Sequence, residues 1–95
     1  MVTLQLLVLK TPQLEQVHDF YQTLGIDLTQ ERHGQGPLHF LGPAGETVFE
    51  IYPLSPPATA EGSVRLGFAV PRLTELIQEL RGKGAPVVED ARLTP

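Results

Sequence analysis

The stretch LLVLKTPQLEQVHDFYQTLG, Leu6 to Gly25, returns 59 positions later as RLGFAVPRLTELIQELRGKG, Arg65 to Gly84. Pro12 falls on Pro71, Leu14 on Leu73, Val17 on Leu76, Tyr21 on Leu80 and Gly25 on Gly84. Identity is thin, but each match has a physical reason. The prolines open helices, the glycines close them, and the apolar positions keep one helical face. The pattern predicts a strand–helix unit used twice.

Working outward, Thr3 to Leu9 reads as a strand that is apolar on both faces. Thr11 is a candidate cap and Pro12 a first helical residue for a helix ending at Leu24, with Gly25 as its left-handed terminator. Further strands are expected over Ile26–His33, Leu38–Leu41 and Thr47–Tyr52, with Gly34–Pro37 and Gly42–Gly45 as turns. Residues 54–63 read as a linker. The unit then restarts with a strand over Val64–Val70 and a helix opened by Pro71, striped by Leu73, Leu76, Ile77 and Leu80. A sixth strand is expected over Ala85–Glu89. The expected fold class is α+β, one domain of tandem βαβββ modules: residues 1–53 form the first, and residues 64–95 an incomplete βαβ second. At the same offset, strands seven and eight would fall beyond residue 95. Either the product is truncated, or a partner chain covers the sheet edge. An open edge invites pairing, so a homodimer is expected.

The bulk numbers narrow the function classes. A net charge of -4 leaves no basic stripe for phosphates, which argues against nucleic acid. The N-terminal apolar run is too short for a membrane span and lacks the basic flank of a leader. There are no cysteines, which removes disulfides, thiolate metal sites and thiol catalysis together. A cytoplasmic location is the expectation.

The helix Leu14-Glu15-Gln16-Val17-His18-Asp19-Phe20-Tyr21 followed by Leu24-Gly25, and the strand end Glu50-Ile51-Tyr52-Pro53, carry a family resemblance. With the strand Leu66–Val70 and Leu73 behind it, the chain resembles the vicinal oxygen chelate superfamily over residues 4–90. That superfamily holds glyoxalase I, bleomycin-resistance proteins and extradiol dioxygenases. The resemblance implies curved sheets that form a cup for substrate, and in some members a divalent metal held by four residues. Its ligand positions fall on Leu6, Glu50 and Arg65, and on a residue past the end of the chain. Only Glu50 is able to ligate, and Arg65 would repel a cation. The resemblance therefore implies a member without the full metal site. No resident cofactor is expected, with a divalent metal as the alternative.

Strand alternation points to the same residues independently. Val48, Glu50 and Tyr52 share one face of their strand, and Phe49 and Ile51 the other. The apolar face belongs against the helices, so Glu50, Tyr52 and Arg65 should line the concave face with Leu4, Leu6 and Val8. This set is the candidate ligand site: Glu50, Arg65, Tyr52 and Leu6 around a small molecule. The competing readings are that Glu50 and Arg65 pair across the sheet or meet solvent, or that a dimer buries the face. Of the histidines, His18 is expected to pack on its helix and His33 to lie exposed beside a turn. His39 is a metal candidate with Glu50, although alternation does not fix its face. The first functional reading is small-molecule binding or sequestration. The rivals are a metal-dependent lyase, isomerase or dioxygenase completed by a partner chain, and a truncated structural or interaction domain.

Overall fold

A computed structural model describes residues 1–55 and 64–87. It is an α+β arrangement of a four-stranded mixed sheet and two helices. The elements are β1 (Leu6–Thr11), α1 (Leu14–Leu24), β2 (Thr29–Glu31), β3 (His39–Ala44), β4 (Thr47–Pro53) and α2 (Leu73–Gly82). The sheet order is β1-β4-β3-β2. β1 runs parallel to β4, with Leu6 opposite Val48 and Leu9 opposite Ile51. The other pairings are antiparallel, with Phe40 opposite Ile51 and Glu31 opposite His39. The first expected unit, βαβββ, is thus present.

The helix begins later than Pro12. Thr11 still belongs to β1, and its hydroxyl oxygen accepts the Gln13 N–H at 3.0 Å, turning the chain into α1. At the far end Gly25 sits at φ 119°. Its N–H and that of Ile26 close the last turn onto the carbonyls of Gln22 and Tyr21, at 3.1 Å each. The Gln22 side-chain oxygen then accepts the Leu28 N–H at 3.1 Å, which clamps the returning chain to the helix.

The third strand reaches Ala44, through residues expected to turn. The turn is only Gly45-Glu46, and Gly45 takes the positive φ (61°) that two-residue hairpins need. Pro43 is tolerated in β3 because β2 extends no further than Leu41, so no neighbour calls for its missing N–H.

Ile26, Leu28, Phe40, Phe49 and Ile51 form the core, between α1 and one face of the sheet. Phe49 and Ile51 are fully enclosed (0% exposed). Leu14, Val17 and Tyr21 pack on them from α1, at the helical spacing of the sequence. Gly42 makes the close packing feasible. A Cβ there would lie 2.2 Å from the Asp27 carbonyl oxygen and 2.9 Å from its carbon.

The second unit departs from expectation. Among the described residues, no strand forms over Val64–Val70. The apolar residues of this segment act singly: Phe68 inserts edge-on against Tyr21 (5.8 Å between rings) and Phe49 (6.2 Å), on the helix side of the sheet. A strand needs an edge to pair with, and here ring packing takes its place. α2 starts at Leu73 because Arg72 adopts a left-handed conformation (φ 57°) between Pro71 and the helix. Of the expected sixth strand, Ala85–Val87 is not in a strand, and residues 88–89 lie outside the described residues. Lys83, just past α2, donates to the Thr23 hydroxyl of α1 at 2.9 Å. No helix among the described residues is long and apolar enough to cross a membrane.

Gly42→Ala should destabilise the chain by about 1–3 kcal/mol, since the clashing atoms are backbone and cannot swing aside. Phe49→Ala should cost about 3–5 kcal/mol. Urea unfolding followed by circular dichroism measures both. A neutral Gly42→Ala would mean that the Asp27–Leu28 segment is not pressed onto the sheet.

Candidate functional site

The face of the sheet turned away from the helices is set by register. Val48, Glu50 and Tyr52 of β4 stand beside Leu6, Val8 and Lys10 of β1 on one side. On the other side they stand beside Leu41 and His39 of β3, and beyond these lie Thr29 and Glu31 of β2. This is the sharing of faces that alternation predicts for Glu50, Tyr52, Leu6 and Val8. The apolar members are left open to solvent: Leu6 is 53% exposed, Val48 41% and Val8 39%.

The polar members gather toward the β2 side. The Tyr52 phenol lies beside the Glu50 carboxylate, two residues back on the same face of β4. Desolvation, with the negative charges of Glu50 and Glu31 nearby, holds this phenol above its ordinary value. His39 stacks flat on Tyr52, with 4.1 Å between ring centres and 8° between planes. Its other neighbour is the His33 ring, at 5.2 Å and 31°. Packed between these rings, His39 is only 1% exposed. Its Nδ1 lies 3.3 Å from the Pro37 carbonyl oxygen, and its Nε2 is buried without a partner. A carbonyl only accepts, so Nδ1 carries the proton, and in the neutral ring Nε2 holds a bare lone pair. His33 Nε2 lies 2.6 Å from a Glu31 carboxylate oxygen. One ligand-type atom from each of Glu31, His33 and His39 falls within 4.8 Å of the other two.

Register brings His39 beside Tyr52 and Glu31, on the face of the sheet that also carries Glu50. Arg65 is exposed on the Val64–Val70 segment, and no strand carries it to the Glu50 face. Sequence reasoning passes over Glu31 and places His33 at the exposed end of a strand, beside a turn. The signal is Glu31-x-His33 at the end of one hairpin strand with His39 at the start of the next, legible only once that hairpin's register is known. His18 stays with α1: its ring rests on Phe40 at 4.2 Å, and its Nδ1 lies 3.0 Å from the Asp19 carboxylate. A separate groove of about 820 Å³ runs along the outer edge of β1, lined by Leu9, Val17, Phe20 and Leu66. It does not include Glu50 or Tyr52.

No family model matches the sequence, and no curated protein matches it.

Both tyrosines hold their protons more tightly in the folded chain, Tyr21 through burial and Tyr52 through desolvation and its carboxylate neighbours. Phenols raised in the fold contribute stability in full below the unfolded value near 10. That contribution is lost as pH rises through the folded values. Ultraviolet titration should show both phenols ionising above pH 10 in the native protein and near 10 in denaturant. Native stability should fall through the same alkaline window, less steeply in Tyr52→Phe. A native titration coincident with the denatured one would show that these environments do not form.

Proposed function

We propose that the chain is a small-molecule-binding protein of the glyoxalase/bleomycin-resistance kind, which holds its ligand over the open face of the sheet. The observation that carries this reading is the make-up of that face. Half-exposed Leu6, Val8 and Val48 adjoin the neighbouring polar groups Tyr52 and Glu50, opposite a face committed to the core. Apolar walls with a few placed polar groups are what a sequestering site needs, and no reacting nucleophile is required. The order β1-β4-β3-β2 of one βαβββ unit supports the same family reading. A single such face is a wall, not a cup. A second copy of the chain supplies the opposite wall, and the β1 edge, unpaired among the described residues, offers it a place to dock.

The test combines mass in solution with thermal shift against a panel of aromatic and amphipathic small molecules. The expected results are a dimer and at least one ligand that raises Tm in proportion to its concentration. Glu50→Ala or Tyr52→Phe should weaken that ligand by roughly tenfold, the loss that follows removal of a polar contact worth about 1.5 kcal/mol. A monomer that no panel member stabilises would sink the proposal.

A further inference from the structure

The geometry points to a divalent metal site, which we propose at Glu31, His33 and His39, binding a zinc-type ion. The first support is the donor set. Two imidazoles and a carboxylate suit zinc and its neighbours, with coordination positions left over for water or a ligand group. Magnesium and calcium prefer oxygen ligands and are poorly served here.

The second support is the state of His39. Its Nδ1–H is committed to the Pro37 carbonyl, and its Nε2 is buried without a partner. A ring whose far nitrogen donates to a backbone carbonyl has its tautomer fixed, as metal-binding histidines do. A bare imidazole nitrogen left unpaired in the interior costs free energy, and a metal ion would complete it. Stacking on Tyr52 holds that ring in place.

The third support is register. Glu31 lies opposite His39 across the β2–β3 pair. His33 follows two residues after Glu31, and its Nε2 already meets that carboxylate. An ion would take the place of the proton that joins them. Ligand atoms on one tetrahedral ion are about 3.3–3.5 Å apart, given bonds of about 2.0–2.2 Å. The group spans up to 4.8 Å, so its widest pair must close by up to about 1.5 Å. The member with room to move is His33, whose side chain is 70% exposed. The site does not depend on the small-molecule reading: Glu50 is not a ligand, and the three residues come from one hairpin of one chain.

The experiment uses the full chain without a histidine tag, stripped with chelator. Co²⁺ is titrated by visible absorption and Zn²⁺ by calorimetry. The expected result is one ion per chain with a defined cobalt spectrum, and a Tm that rises with Zn²⁺ concentration. His33→Ala and Glu31→Gln should each weaken binding by at least the roughly 10- to 100-fold that an outer-shell change costs. His39→Ala risks the fold, so those two more exposed positions carry the test, with circular dichroism confirming the metal-free fold of each. Glu50→Ala should leave metal affinity unchanged. Binding of equal strength in wild type and His33→Ala, or binding lost only in Glu50→Ala, would overturn the site. So would the absence of stoichiometric metal.

Discussion

Everything on the helix side of this protein depends on the near-contact between the backbone at Asp27 and Leu28 and the sheet at Gly42. The chain leaving α1 is pressed so close to β3 that no side chain fits between them. This closeness lets Ile26 and Leu28 enter the core beside Phe40 and Phe49. Gly25 reverses the helix end, and the Gln22 amide fastens Leu28. From there β2 has one course, along the outer side of β3, and that course sets Glu31 opposite His39. A packing constraint on one face of the sheet thus fixes which polar groups meet on the other.

The two faces are unequal in a way a small domain seldom sustains. One carries a compact core to which Phe68, from the second segment, adds its ring. The other leaves aliphatic side chains in water along β1 and β4. Burial of one face alone makes for modest stability in a chain of this size. Covering the second would recover transfer free energy at about 25 cal/mol per Å². That driving force is available to a second copy or to a bound molecule, and the polar row from Glu50 to His33 would tell a fitting partner from an unfitting one.

Much of this was legible in the residues. Alternation in Thr47–Tyr52 separated Phe49 and Ile51 from Glu50 and Tyr52, because a strand's period of two tolerates no ambiguity once one face is wholly apolar. Helical spacing placed Leu14, Val17 and Tyr21 on the core. The helix of the second unit forms, but the strand expected over Val64–Val70 does not, although Leu66, Phe68 and Val70 alternate as a strand would: alternation reports amphipathicity and says nothing of whether a segment pairs with an edge. His39 was left without a face because its parity depends on turn length, and the turn proved to be Gly45-Glu46, not Gly42–Gly45. The Glu31–His33–His39 group needed a cross-strand register, which no single-strand pattern contains.

The parallel pairing of β1 with β4 has a consequence for the order of assembly. Between these strands lie α1, β2 and β3, and the pairings of β2 with β3 and of β3 with β4 are local. Local hairpins close at little entropic cost, whereas joining β1 to β4 closes a long loop. The β1–β4 pairing therefore carries the largest loop-closure cost in the sheet. Until β1 docks, β4 shows a bare hydrogen-bonding edge and Leu7 and Leu9 have no cover. A fold complete except for β1 would be the species most open to wrong pairing.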